Sequence, residues 1–382
     1  AVAERKEKGV VAVFNQNHNK YTETFVKGHL NSLSFHTVGF HGWPSPIHVG
    51  DMENLISGYE FTQAAMYHIW KLTNKDVSQK ENERIANRLL DEEASVILAE
   101  FGTMGNRLVE VSKMTGTPLV TIFYGYDAWN KKVLENEDYS KLFEHASRVI
   151  GVSKDICQQL VKLGCPKEKV VYVPCYLNKE LFKPVERNFS KPKVLSVGRF
   201  TNTKAPHLTI LAFNQLLRSI PEATLTMIGV DDDNASYEAS MSLLKALDLE
   251  DKVIMKGVCT PEEVYQSMVE ASLFVQHSVT TPVNGDKEGT PVAVMEAMAT
   301  GLPVISTKHA GIQEVIETGV NGILVDEFDT NGMAVEMVGL LKDKEKLHAI
   351  SSAAMNSIRD NEDIQQHTSK MEEILHQTMS GK

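Results

Sequence analysis

The sequence predicts an α/β protein built from two doubly wound domains in tandem. Length is the first reason, since 382 residues are more than one hydrophobic core usually serves. The second is the alternation of short apolar runs with longer amphipathic ones, which signals parallel sheets with helices on both faces. The third is a polar stretch with two prolines, residues 178–193 (NKELFKPVERNFSKPK), after which a fresh strand pattern begins.

Before that stretch, 9–14 (GVVAVF), 95–99 (SVILA), 119–123 (LVTIF) and 148–152 (RVIGV) read as buried strands. After it, 194–197, 224–228, 253–255, 273–276 and 304–306 read the same way. Helical patterns lie between them, as at 82–92 and 207–219. A last amphipathic pattern at 363–379 places Ile364, Met371, Ile374 and Leu375 near one face. The apolar stretch 52–72 (MENLISGYEFTQAAMYHIWKL) reads either as one or two core helices or as an acceptor- or membrane-facing element.

Composition narrows the partners. No apolar run reaches the roughly 18 residues that span a bilayer. The opening residues show no secretory pattern, so a cytoplasmic location is expected. Cys157, Cys165, Cys175 and Cys259 form no CxxC pair, and no clustered histidine completes a zinc site. They read as reduced thiols. The net charge of −11 is uneven. Residues 1–190 hold 23 Lys+Arg and 23 Asp+Glu, whereas residues 191–382 hold 16 and 27. Nucleic acid is therefore not expected as a partner. A polybasic anchor is absent too, although the neutral first half leaves room for a weak peripheral membrane contact.

Doubly wound sheets bind ligands beyond the carboxyl ends of their strands, so the loops there carry the search. In 194–210 (VLSVGRFTNTKAPHLTI) a strand ends, the chain turns at Gly198, and Arg199 and Lys204 precede a helix starting near Pro206. Two cations beside a helix N-terminus suit a diphosphate; a solvated turn with surface cations fits the loop as well. The second glycine and the Lys-Ser/Thr of a Walker loop are missing. In 99–106 (AEFGTMGN) Gly102 and Gly105 are present, but Glu100 occupies the first glycine position of the dinucleotide fingerprint. Asp231, Asp232 and Asp233 read as a solvated loop, and no metal is expected.

The stretch 288–304 (EGTPVAVMEAMATGLPV) holds two carboxylates, Glu288 and Glu296, in otherwise apolar surroundings. A buried carboxylate is costly unless something pairs with it. Pro291 suits the first turn of a helix, which leaves Glu288 in the preceding loop and Glu296 inside the helix. Eight helical residues span about 12 Å. A sugar nucleotide is elongated on that scale, with hydroxyls at both ends and a diphosphate between. A carboxylate accepts paired hydrogen bonds from neighbouring hydroxyls.

These motifs, with 296–325 (EAMATGLPVISTKHAGIQEVIETGVNGILV), resemble the donor domain of retaining glycosyltransferases of the GT-B fold. The loop 196–213 is similar to their phosphate loop, and 142–184 to their connecting region. The segments 22–26 (TETFV) and 118–129 (PLVTIFYGYDAW) resemble the branch that builds bacterial exopolysaccharide and lipopolysaccharide, the colanic-acid type. The resemblance implies two Rossmann-like domains facing a cleft: an acceptor-binding domain over 1–180, a donor domain over 181–362, and a helix over 363–382 crossing back to the first. It implies hexose transfer from a nucleoside-diphosphate sugar to a saccharide or lipid-linked acceptor. The Arg199 and Lys204 pair can meet the diphosphate without a metal, no cofactor is expected, and the cytoplasmic location leaves open a peripheral place at the inner face of the plasma membrane.

Residue by residue, the resemblance assigns Glu288 to the donor sugar, Glu296 to the ribose, and Arg199 and Lys204 to the diphosphate. Gly289, Thr290, Pro291 and Val292 would offer backbone to the donor, and Gly257 and Val258 would receive the base. Tyr124 stands where the family commonly has a histidine near the transferring bond. The sequence VPCYLN at 173–178 replaces a commoner P-N-G-V-D, and Pro291 replaces a frequent glycine. An epimerase or hydrolase on the same fold is an alternative, as is a non-catalytic nucleotide-sugar binder.

Overall fold

The computed structural model describes residues 2–17, 24–43, 46, 48–50, 53–54, 76–229, 235–359 and 363–381. The chain divides into two compact units, Ala1–Pro174 with Ile364–Lys382, and Cys175–Asp363. The acidic run 231–233 and all but two residues of 52–72 lie outside the described residues, as do Thr22 and Glu23.

Among the described residues of the first unit, eight strands form one sheet. They are β1 (Val10–Asn15), β2 (His36–His41), β3 (His48–Val49), β4 (Glu53–Asn54), β5 (Val96–Glu100), β6 (Leu119–Phe123), β7 (Arg148–Gly151) and β8 (Val170–Tyr172). The order is β4-β3-β2-β1-β5-β6-β7-β8. All pairings from β2 through β8 are parallel, and β3 and β4 add antiparallel. Every residue of β1, β5 and β6 is buried, as expected for parallel strands covered on both faces. The helix Gly102–Thr115 lies so close to β6 that a Cβ on Gly102 would meet the Phe123 ring at 2.1 Å, and one on Gly105 would meet Thr121 at 2.5 Å. These glycines serve close packing, which explains their presence outside a dinucleotide fingerprint. The helix Ile364–Met379 belongs to this unit and buries Met371, Ile374 and Leu375.

The second unit is a six-stranded, all-parallel sheet of β9 (Lys193–Val197), β10 (Thr224–Ile228), β11 (Val253–Gly257), β12 (Leu273–Val275), β13 (Val304–Thr307) and β14 (Ile323–Val325). Its order, β11-β10-β9-β12-β13-β14, is the doubly wound order with a reversal between β9 and β12. Successive side chains serve opposite cores. Val194, Leu273 and Ile305 pack on one face, and Leu195, Phe274 and Val304 on the other.

The polar stretch read as a linker is packed. Phe182, Arg187 and Phe189 are buried. The Arg187 guanidinium donates to the carbonyls of Met268 (2.5 Å), Ala271 (3.2 Å) and Thr300 (2.8 Å). It thereby caps the C-terminal ends of two helices, Pro261–Glu270 and Val292–Ala299, where orphan carbonyls and the negative dipole end favour a cation. Strands β2, β3, β4, β8 and β14 were not anticipated, and β4 falls within 52–72, where helices or a surface-facing element were expected. β2 (HTVGFH) is mostly half-buried and carries two histidines, β8 is half-exposed, and β14 has three residues, so none offers a clear period-two signal. Pro291 stands one residue before its helix, at the N-cap rather than in the first turn.

Candidate functional site

The reversal between β9 and β12 brings two loops together at the carboxyl edge of the second sheet. One leaves β9 and carries Gly198, Arg199 and Lys204 to the helix Pro206–Leu216. The other leaves β12 and runs through Ser278 to Glu288 and the helix Val292–Ala299. Lys204 Nζ lies 2.5 Å from Glu288 Oε2, and Ser278 Oγ donates to Glu288 Oε1 at 3.0 Å. The Glu288 side chain is 8% exposed and that of Lys204 18%. Burial works to raise the Glu288 pKa, but the Lys204 charge, the neighbouring His309 ring and the two side-chain hydrogen bonds outweigh it and hold the carboxyl below its usual range. Glu288 is thus an anion whose partner the protein itself supplies.

Glu296 is in the opposite condition. It is half-buried in a helix whose neighbours Val294, Met295, Ala297 and Met298 are buried. Among the described residues its carboxyl has no hydrogen-bonding or ionic partner, and burial pushes its pKa up to about 8. An acceptor in apolar surroundings without a protein partner is a place for ligand donors.

The base-side residues lie across the sheet. Gly198 N–H donates to Ile228 O (2.9 Å), and Gly229 N–H donates to Gly257 O (3.0 Å). These backbone bonds link the loops after β9, β10 and β11. A Cβ on Gly229 would lie 1.9 Å from Gly198 O, so only glycine allows this approach. Gly257 and Val258 stand two strand widths from Arg199, about 10 Å. Val258 is 56% exposed, and Arg199 is exposed. Gly289 and Pro291 are buried, while Thr290 and Val292 are half-buried. Thr290 Oγ1 accepts the Cys175 N–H at 3.5 Å. No group of three or more His, Cys, Asp and Glu able to hold a metal occurs among the described residues.

In the first unit, half-buried Tyr124 leaves β6 at its carboxyl end. Its hydroxyl donates to Glu100 Oε2 at 2.6 Å. Glu100, fully buried, meets His29 Nδ1 through Oε1 at 2.6 Å. His29 Nε2 meets His367 Nε2 at 2.9 Å, and His367 Nδ1 meets Pro174 O at 3.0 Å. Burial, and then His29, push the His367 pKa down to about 3, so that ring is neutral. It donates to the carbonyl through Nδ1 and accepts from His29. The hydroxyl proton that Tyr124 would offer a ligand is directed at Glu100. Asp127 of the same motif is fully buried and accepts from the N–H groups of Gly102 (2.8 Å), Tyr124 and Gly125 (3.0 Å each). Burial pushes its pKa up to about 6 despite these donors.

Sequence reasoning missed Glu100, His29, His367, His309 and Glu327. A backbone signal exists for three of them, and for Lys204 as well. Glu100, Lys204, His309 and Glu327 are each followed by a non-glycine residue in the left-handed region: Phe101 (φ 76°), Ala205 (39°), Ala310 (40°) and Phe328 (67°). Such backbone costs about 1–3 kcal/mol per residue and gathers at functional sites. It is a property of coordinates, so sequence alone could not reveal it.

Residues 178–357 match the family model of the glycosyl transferases group 1. The chain is 35% identical over 254 residues to the amylovoran biosynthesis glycosyltransferase AmsK of Erwinia amylovora, covering 65% of this chain and 61% of that protein. It is 34% identical over 249 residues to the putative colanic acid biosynthesis glycosyltransferase WcaL of Escherichia coli K12, covering 63% and 60%. The alignments thus span about three fifths of these relatives. Among solved structures, Anabaena HepE in complex with UDP and glucose superposes with a TM-score of 0.73 at 18% identity, covering 96% of this chain and 98% of that one. Sucrose-phosphate synthase from Thermosynechococcus elongatus gives 0.77 at 17% identity, covering 98% and 100%. The fold is GT-B.

Proposed function

We propose that the chain is a retaining glycosyltransferase that moves a hexose from a nucleoside-diphosphate sugar to a saccharide or lipid-linked acceptor during surface polysaccharide synthesis. The observation that carries this is the contrast at one sheet edge: Glu288 paired with Lys204, and Glu296 without a partner. The names of the two polysaccharide relatives support the setting. The work is assigned to the cytoplasmic side, at the inner face of the plasma membrane. Among the described residues no helix is long and apolar enough to cross a membrane.

Breaking the bond between the anomeric carbon and the diphosphate puts negative charge on the leaving oxygen and makes the sugar oxocarbenium-like. Arg199 and Lys204 face that charge. A fixed donor of this kind is worth roughly 3–4 kcal/mol. Lys204 would turn part of its bonding from Glu288 to the phosphate, leaving Glu288 oxygens for sugar hydroxyls. Glu296 would accept the two ribose hydroxyls, and Gly257 and Val258 would border the base. Gly289, Thr290, Pro291 and Val292 would present backbone. Attack on the face the diphosphate leaves, with that phosphate taking the acceptor proton, retains the anomeric configuration and needs no protein nucleophile. Tyr124, which stands where the family commonly has a histidine, would act on the donor through its ring.

A thermal-shift screen of UDP-, GDP- and ADP-hexoses tests the proposal. A bound donor at 100 times its dissociation constant adds about 2.7 kcal/mol. The donor found is then offered lipid-linked saccharides in the presence of EDTA. Undiminished transfer with retained configuration is expected. An inverted product, or donor breakdown with no acceptor dependence, would refute it.

A further inference from the structure

Glu288 is held from two sides. Its carboxylate meets Lys204 and Ser278. Its backbone N–H is held from behind by His309 Nε2 at 3.2 Å. His309 is fully buried, and its Nδ1 lies 2.7 Å from Glu327 Oε1. Glu327 accepts in turn from the N–H and hydroxyl of Thr280, at 2.8 and 3.1 Å. Thr280, His309 and Glu327 follow three adjacent strands, β12, β13 and β14.

The direction of each bond is forced. A backbone N–H only donates, so His309 Nε2 carries the lone pair and Nδ1 the proton. A carboxylate at Nδ1 selects that tautomer. Glu327 therefore decides whether the ring can receive Glu288. Both residues precede left-handed backbone, at Ala310 and Phe328, so the chain is strained on each side of the pair to keep it there.

We propose that His309 and Glu327 are a positioning pair for Glu288, fixing the backbone from which its carboxylate reaches the donor sugar. This rests on the assignment of Glu288 to that sugar. Neither residue touches the reacting atoms. The pair should govern how much the hexose adds to nucleotide affinity while leaving nucleotide binding alone.

Calorimetry with UDP, GDP, UDP-glucose, UDP-galactose and GDP-mannose tests it. The proteins are wild type, His309→Ala, His309→Gln, Glu327→Gln, Glu288→Gln and the double variant His309→Ala/Glu288→Gln. His309→Ala and Glu327→Gln should bind the free diphosphate as wild type does and the nucleotide sugar about five- to tenfold more weakly, the loss of one hydrogen bond's positioning. His309→Gln, whose amide oxygen reaches the Nε2 position, should recover most of that. In the Glu288→Gln background, His309→Ala should cost nothing more. Equal weakening of diphosphate and sugar nucleotide, or no change in either, overturns the pair. If His309→Ala does not fold, His309→Gln and Glu327→Gln decide by the same ratio. Should Glu288→Gln lose the hexose contribution while the His309 and Glu327 variants keep it, only the pair fails. A Glu288→Gln protein that keeps it overturns the assignment of Glu288, and the pair falls with it, as both do if wild type binds none of the three sugar nucleotides.

Discussion

At the scale of single residues, two glutamates eight positions apart meet opposite fates. Glu288 is ionised by its neighbours, while burial without a partner pushes Glu296 up to about 8. The folded state therefore holds a proton on Glu296 that the unfolded chain releases near the ordinary carboxyl value. This contribution is full below that value, about 4.3, and is lost as pH rises through 8. Glu296→Gln should match wild type in stability near pH 4 and exceed it at pH 8.5, by on the order of 1–3 kcal/mol after allowing for solvent at the half-buried carboxyl. Urea unfolding at the two pH values measures this, and equal differences at both would show that Glu296 is not raised. Ribose hydroxyls favour the carboxylate, so nucleotide binding at pH 7 should also release a proton.

At the scale of elements, the strands most buried were the most legible. β6, β9 and β10 stand within a residue of where their apolar runs place them, because parallel strands covered on both faces are continuous apolar segments. β2 was hidden by its histidines and partial cover. The linker expectation failed for a physical reason too. Residues 178–193 are polar, but Arg187 spends its charge on helix carbonyls and Phe182 and Phe189 are buried, contacts that composition cannot show. Arg187→Met should destabilise the second unit by about 2–4 kcal/mol, since it strips buried carbonyls at two helix ends of their donors. A denaturation midpoint within about 1 kcal/mol of wild type would mean water replaces the guanidinium.

Of the candidate site, the charged residues were legible because they break an apolar pattern, as Glu288 and Glu296 do, or punctuate a strand end, as Arg199 and Lys204 do. What supports them was not. His309 and Glu327 lie 21 and 39 positions beyond Glu288 and reach it only because β13 and β14 follow β12 across the sheet. The same holds for His29 and His367 behind Glu100 and Tyr124. Their role depends on which strand ends are neighbours, and an isolated histidine carries no such information.

At the scale of the whole molecule, all of the net negative charge lies in residues 191–382, the half proposed to bind an anionic donor. The overall field opposes that donor, so the local cations Arg199 and Lys204 must overcome it. The donor is then recognised in parts. The diphosphate meets the loop after β9, and the two ends of the molecule meet Glu288 and Glu296. Calorimetry of the nucleoside diphosphate and the full sugar nucleotide on Glu288→Gln and Glu296→Gln is the most direct measurement of this division. Glu288→Gln should bind the diphosphate as wild type does and lose the hexose contribution, whereas Glu296→Gln should weaken both ligands by a similar factor. Equal effects of the two substitutions on both ligands would contradict it.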